Sequence, residues 1–371
     1  MKTEARIVAV TGANGFIGRN LVVRLRELGH ETRAITRETP GDAARADLGG
    51  ADVIVHLAGA VRPRDPADFI RTQVYADWVA DAITAGGRRP LVICASSSKA
   101  NEDSGYGRSK LACERAMLTL AEHGAATAAI YRLPNVFGKW ARPNYNSAIA
   151  TFCHNLARGL PIRIDDPAAP LSLVYVDDLV DQWCGLIAAP PCDTLFLEAA
   201  RVHHATVGEV AAAIQGFAAG RMLARIGDVG VGLQRALYAT FVSALPTEAF
   251  GYPLVAHTDP RGSFTEMLKT PASGQFSYFT AHPGVTRGGH YHHSKVEKFL
   301  IVHGEALFRF RHILSGDTHE LRTSGEQPIV VETIPGWTHD VTNVGEGPMV
   351  SLLWANEVFD RERPDTVAMP V

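Results

Sequence analysis

From residue 5 to about residue 180, short continuous apolar runs alternate with longer stretches whose apolar positions recur every three or four residues. The runs are "RIVAVT", "TRAIT", "DVIVHLAG", "PLVICASS" and "TAAIYRL"; between them the spacing predicts helices over Ile17–Leu28, Ala67–Ala85 and Tyr106–His123. Strands apolar throughout are covered on both faces, and strand–helix alternation builds a parallel sheet, so this part is predicted to be a doubly wound, Rossmann-like α/β domain. Beyond about residue 258 the texture changes to short runs separated by turn residues: "GSFTEML", "QFSYFTA", "EKFLIVHG", "ALFRFRHI", "PIVVETI", "HDVTNVG" and "PMVSLLW". Such spacing predicts an all-β sandwich or barrel. The stretch "LYATFVSALPTEAFGYPLVAHTDPRG", with three prolines, reads as the join, and the boundary falls near residue 247, giving domains 1–247 and 248–371.

A length of 371 residues exceeds what one hydrophobic core holds, in keeping with two domains. A net charge of -3 provides no basic field for nucleic acid or an anionic membrane, which leaves small molecules as the expected partners. The five cysteines (Cys94, Cys113, Cys153, Cys184, Cys192) are scattered and form no C-x-x-C pair, so reduced thiols and a cytoplasmic location are expected. "ARIVAV" is too short for a signal sequence and runs straight into glycine turns, and no apolar stretch reaches membrane-spanning length.

The first candidate chemistry lies in "TGANGFIG", which sets Gly12, Gly15 and Gly18 after a strand and at the opening of a helix. There the glycines let backbone N–H groups approach a pyrophosphate at the positive helix end. Where the second strand ends, "AITRET" has Thr36 and Arg37 in place of the acid that serves the ribose hydroxyls in NAD enzymes. Arg37 can pair with a 2′-phosphate, so NADP(H) is expected. "YGRSK" puts Tyr106 and Lys110 on one helix face, where an ammonium stabilises the phenolate left after a phenol gives its proton to a carbonyl. Ser98, or Ser97, at the end of the preceding strand offers a hydrogen bond to the same oxygen.

"TGANGFIG", Asp47 in "ADLGG", "HLAG", "SSS", "YGRSK", "RLPNVFG" and "VYVDDLV" together resemble the extended short-chain dehydrogenase/reductase family over roughly residues 5 to 240. The resemblance implies hydride transfer between NADP(H) and a nucleotide-sugar carbon, with Ser98, Tyr106 and Lys110 as the catalytic set. It implies cofactor contacts from Gly12, Asn14, Gly15, Phe16, Ile17, Gly18, Arg37, Asp47, Leu48, Leu57, Ala58 and Gly59, besides Tyr106 and Lys110. Substrate contacts are implied for Asn135, Arg142 and Asn146. The loop of seven residues between Ser98 and Tyr106 is shorter than is usual in the family.

The second candidate chemistry lies in "GGHYHHSKVEKFLIVHG". On a strand, residues two apart share a face, so His290 and His292 point one way, Tyr291 and His293 the other. With Glu297, and with His339 of "PGWTHDVTN" on a facing strand, they make a nitrogen and oxygen ligand set for one Zn²⁺, Ni²⁺, Mn²⁺ or Fe²⁺ per chain, Zn²⁺ foremost. These segments resemble the cupin family, a double-sheet jelly roll holding a metal, over about residues 258 to 360. Reductase followed by cupin resembles the CapF type of bifunctional capsule and O-antigen enzymes over nearly the whole chain.

That resemblance implies C3 epimerisation of a UDP-4-keto-6-deoxy-HexNAc at the cupin, followed by NADPH-dependent reduction at C4, to give UDP-2-acetamido-2,6-dideoxy-L-talose on the route to UDP-N-acetyl-L-fucosamine. A homodimer is expected. Epimerisation comes first, because only the ketone acidifies the C3 proton. His293, Lys295, Lys298 and Asp340 are the candidates for the base. Two alternatives remain: a single-activity reductase whose cupin is a non-catalytic, metal-stabilised dimerisation module, and a regulatory binder that senses nucleotide sugar.

Overall fold

The computed structural model describes residues 4–61, 65–254, 256–259, 262–265, 268, 270, 274–357, 360 and 362–371. Its first elements are β1 (Ile7–Thr11), α1 (Phe16–Glu27), β2 (Glu31–Ile35), α2 (Gly41–Gly49), β3 (Val53–His56), α3 (Ala67–Gly86), β4 (Leu91–Ser97), α4 (Gly105–Glu122) and β5 (Thr127–Leu133). There follow β6 (Asn135–Phe137), α5 (Ala148–Leu156), β7 (Pro170–Tyr175), α6 (Val176–Ala188), β8 (Leu195–Leu197), β9 (His203–Thr206), α7 (Val207–Met222) and α8 (Gly232–Ser243). The three helices predicted from apolar spacing are α1, α3 and α4, each displaced by no more than one residue at either end.

Six strands form a parallel sheet in the order β2-β1-β3-β4-β5-β8. Alternate residues of β1 serve two cores. Val8 and Val10 pack with Leu21 of α1 and Trp183 of α6 on one face, whereas Ala9 packs with Met117 of α4 on the other. The chain leaves β1 to one side for β2 and returns to its other side for β3. Ligands of open α/β sheets bind at such a reversal, beyond the carboxyl ends of the strands.

The remaining strands are β10 (Gly251–Pro253), β11 (Ala256–Asp259), β12 (Gly262–Thr265), β13 (Gln275–Ala281), β14 (Thr286–Tyr291), β15 (Glu297–His303), β16 (Glu305–His312), β17 (Thr318–Ser324), β18 (Ile329–Glu332), β19 (Trp337–Asn343), β20 (Met349–Ala355) and β21 (Val367–Ala368). They form two five-stranded sheets, β10-β18-β15-β20-β13 and β17-β16-β19-β14-β21, beside a β11–β12 hairpin. Phe299 of the first sheet meets Phe308 of the second edge to face, with centroids 5.5 Å apart. Part of "GSFTEML", residues 266 and 267, lies outside the described residues.

Contacts group the chain into two compact units, Met1–Ser147 with Leu171–His204, and Ala148–Pro170 with Ala205–Val371. Helices α5, α7 and α8 therefore belong with the β-rich part. The change of texture near residue 247 falls between α8 and β10, and Leu237–Ser243, read from sequence as the start of the join, is the end of α8. Among the described residues, no helix is long and apolar enough to cross a membrane. All five cysteines are free, four of them buried.

Candidate functional site

In the first unit the loop after β1 turns at Gly12, whose φ of +70° lies in the left-handed region, and a Cβ there would sit 3.0 Å from the Ala58 nitrogen. The glycine loop thus lies directly on the loop that follows β3. Thr11 ties the two together: its hydroxyl oxygen accepts the N–H groups of Leu57 and Ala58 at 3.2 and 3.3 Å. Helix α1 opens at Phe16 with no side-chain cap and no acidic residue in its first turn, which leaves its N-terminal field to a ligand. Asn14 is exposed, while Phe16 and Ile17 are partly buried against the sheet core.

Lys110 is 8% exposed; its Nζ donates to the Ala95 carbonyl at 2.9 Å and stands 5.9 Å from the centroid of the Tyr106 ring. A Cβ on Gly59 would lie 3.7 Å from the same Nζ, so the β3 loop runs between the glycine loop and the lysine. Ser104 caps α4, accepting the Gly107 N–H at 2.9 Å, and residues 97–104 fold as consecutive tight turns, which is how the short loop is accommodated. Of the three serines, Ser96 is buried and donates to Glu114, the Ser97 hydroxyl accepts from the Lys99 N–H at 3.2 Å, and Ser98 is exposed beyond the strand end. Glu114 also receives a bidentate pair from Arg132 at 2.9 and 2.7 Å, fastening α4 to β4 and β5.

Arg37 lines a cavity of about 500 Å³ with Thr36, Arg71, Tyr75 and Trp78 among its walls. Asp47 lies on α2, 3.7 Å from Arg33, and Leu48 is buried in the core. Asn135, Arg142 and Asn146 are all exposed, and Arg142 stacks over Tyr145 at 5.2 Å.

In the second unit His290, His292, Glu297 and His339 converge: their ligand atoms all lie within 4.8 Å of one another. A bulge between Gly288 and His290 sets His290 directly across from His339. Gly288 permits it with a φ of +103°, where a Cβ would meet the His339 carbonyl oxygen at 2.9 Å. His339 is thus on the neighbouring strand of the same sheet rather than on a facing one, and it is Glu297 that reaches across from the other sheet. Glu297 Oε2 lies 3.3 Å from His292 Nε2 and 3.7 Å from His339 Nε2. His339 Nε2 is buried with no hydrogen-bond partner, and three imidazoles with one carboxylate suit a divalent metal, so these residues fit such an ion.

Burial and the neighbouring histidines push His290 down to about 4, keeping it neutral as a ligand must be. Although burial opposes it, the His292 hydrogen bond and the neighbouring His339 imidazole hold the Glu297 carboxyl well below the usual carboxylate range. Strand alternation turns two of the four candidates for the base, Lys298 and Asp340, away from the cluster. Lys298 turns away from the cluster to Glu332 and the Tyr252 hydroxyl, and Asp340 turns away to a bidentate pair with Arg309 at 2.9 and 2.7 Å. His293 packs against the Tyr291 ring. Lys295 touches the cluster, with its Nζ 3.2 Å from Glu297 Oε1.

Residues 8–190 match the model of the NAD dependent epimerase/dehydratase family, and residues 257–367 that of the polysaccharide biosynthesis C-terminal domain. A UDP-2-acetamido-2,6-beta-L-arabino-hexul-4-ose reductase of Pseudomonas aeruginosa is 49% identical over 366 residues, 98% of each chain. The crystal structure of the capsular polysaccharide assembling protein CapF from Staphylococcus aureus is 39% identical, covers 98% of this chain and 100% of its own, and superposes with a TM-score of 0.68. The enzyme WbmF of Bordetella bronchiseptica, solved with NAD+, shares the fold of the first part, at 21% identity and a TM-score of 0.52 over 58% of this chain and 80% of its own. Matched over 98% of its length by the Pseudomonas aeruginosa reductase and by CapF, the chain belongs to the CapF family.

Proposed function

We propose that the chain is a bifunctional nucleotide-sugar enzyme that inverts C3 of a UDP-4-keto-6-deoxy-HexNAc in its cupin part and then reduces C4 with NADPH, forming UDP-2-acetamido-2,6-dideoxy-L-talose. The observation that carries this reading is the presence, in a chain aligned along 98% of its length with a UDP-4-keto-sugar reductase, of the Tyr106–Lys110 pair and of a separate buried His₃Glu cluster. Tyr106 is the proton donor to the C4 oxygen. Lys110, held by Ala95, stabilises the phenolate and steadies the cofactor ribose, while Ser98 hydrogen-bonds the same substrate oxygen. The glycine loop, Leu57–Gly59 and the α1 terminus receive the pyrophosphate, Arg37 the 2′-phosphate, and Asn135, Arg142 and Asn146 the UDP-sugar.

When bound, NADPH supplies the hydride, and a divalent ion, Zn²⁺ foremost, supplies Lewis acidity at a carbonyl oxygen. His290, His292, Glu297 and His339 hold that ion. We read the protein as a cytoplasmic homodimer. The test is NMR of the full chain with UDP-4-keto-6-deoxy-HexNAc in D2O. Deuterium should enter C3 without NADPH, and a C4 alcohol should form when NADPH is added. Reduction without any C3 exchange would leave a reductase with a scaffolding cupin.

A further inference from the structure

The residues after Pro364 touch the surroundings of every member of the histidine cluster. Strand β21 pairs with the end of β14, with Ala368 opposite His290 and Val367 opposite Tyr291, and the Met369 N–H donates to the Gly289 carbonyl at 2.8 Å. The Thr338 hydroxyl, one residue from His339, donates to the Met369 carbonyl. The Asp365 carbonyl accepts from Nδ1 of His292. A carbonyl can only accept, so Nδ1 carries the proton and Nε2, the nitrogen facing Glu297, keeps its lone pair.

The Asp365 side chain works on the same stretch. Its carboxylate accepts three consecutive backbone N–H groups, those of His293 at 2.8 Å and of Ser294 and Lys295 at 2.7 Å, and the Ser294 hydroxyl at 3.0 Å. Converging N–H groups of this kind form an anion nest, and here the anion is part of the chain. Lys295, fixed by that nest, reaches Thr366 Oγ1 and Glu297 Oε1, each at 3.2 Å, which connects the segment to the fourth member of the cluster.

We infer that Asp365 to Pro370 is a clasp that preorganises the metal ligands, with Asp365 as the positioning residue that sets the orientation of His292 and of the loop behind it. The inference rests on the metal reading above. Outer partners of a ligating histidine typically change metal affinity by about 10- to 100-fold when removed, and without its carboxylate nest the backbone that holds the Asp365 carbonyl on His292 is released. The test loads the full chain and its Asp365→Ala variant with Zn²⁺ and follows release to a chromogenic chelator, together with the rise in melting temperature that Zn²⁺ produces in each.

Release from the variant should be about 10- to 100-fold faster, and its Zn²⁺-induced rise in melting temperature smaller. A merely structural residue would lower the loaded and metal-free melting temperatures alike and leave the rise unchanged. Unchanged release and an unchanged rise overturn the clasp. Should Asp365→Ala not fold, Asp365→Asn, whose amide nitrogen cannot accept an N–H, is read by the same two outcomes. An unaltered chain that takes up no Zn²⁺ overturns the metal reading itself, and is distinguishable from failure of the clasp alone.

Discussion

The glycine loop of the first unit and the histidine cluster of the second achieve opposite kinds of order. The loop places backbone groups: β1, the left-handed turn at Gly12 and the uncapped end of α1 follow one another within about a dozen residues, and the buried Lys110 stands near them. The cluster places side chains, brought from β14, the residue that follows it, β15 and β19, and backed by residues near 365. A site made of contiguous backbone stays open to a large cofactor. One made of converging buried side chains is closed around something small.

The largest expected effect asks whether the two sites work separately. Tyr106→Phe keeps the ring and removes the proton donor, so reduction should fall by roughly a hundredfold or more, as for loss of a general acid. C3 exchange in D2O should persist in this variant. His292→Ala should lose exchange and still reduce a ketone already inverted at C3. If Tyr106→Phe abolishes exchange while the protein stays folded, one site does both jobs and the contrast collapses.

Acid should act on the first unit through His56. The Thr11 hydroxyl oxygen already accepts two N–H groups, so its proton goes to His56 Nδ1 at 2.9 Å, which requires a neutral ring. Burial first, and the Lys110 charge second, lower His56 to about 4 from 6.5. Between those values the unfolded chain binds the proton and the folded one does not, so stability falls as pH drops from about 6.5 to about 4, by roughly 3 kcal/mol in all. Amide exchange of β1 and β3 should show that loss of protection, and His56→Gln should flatten it. An equally steep pH dependence in the variant would assign the effect to other groups.

Two glycines sharpen the comparison further. Gly12→Ala places a Cβ 3.0 Å from Ala58 N at a φ of +70°, and Gly288→Ala one 2.9 Å from the His339 oxygen at +103°. Each costs about 1–3 kcal/mol of strain. The first should weaken NADPH binding with metal content unchanged, and the second should do the reverse. Fluorescence titration with NADPH and elemental analysis of both variants would expose any cross-effect.

What was legible in the sequence follows the same division. The parallel strands, α1, α3, α4 and the glycine loop are contiguous patterns, so local spacing was enough to find them. The shared parity of His290 and His292 was also visible. By the same alternation Lys298, next to Glu297, and Asp340, next to His339, belong on the opposite face, which sets both apart from the cluster on sequence grounds. Glu114, Arg71 and Asp365 were not found, since each acquires its role from partners distant in sequence. The packing of α5 with the β-rich unit is likewise a long-range contact that no local pattern encodes.

The smallest expected effect concerns the cofactor end of the first unit. Arg37 replaces the acid that would meet ribose hydroxyls, and the nearby acid, Glu38, is engaged by the Thr36 hydroxyl at 2.6 Å. If Arg37 pairs with a 2′-phosphate, Arg37→Ala should raise KM for NADPH by roughly tenfold, about 1–2 kcal/mol, and leave that for NADH nearly unchanged. The loss should be partial because Arg71, from α3, lines the same cavity and offers a second cation. Arg71→Ala alone should therefore cost less than Arg37→Ala, since its guanidinium also pairs with Asp68 at 2.5 Å, and the double variant should equalise the two cofactors. Equal rises for NADPH and NADH in Arg37→Ala would mean that the arginine meets the adenosine common to both, and would overturn its assignment to a 2′-phosphate.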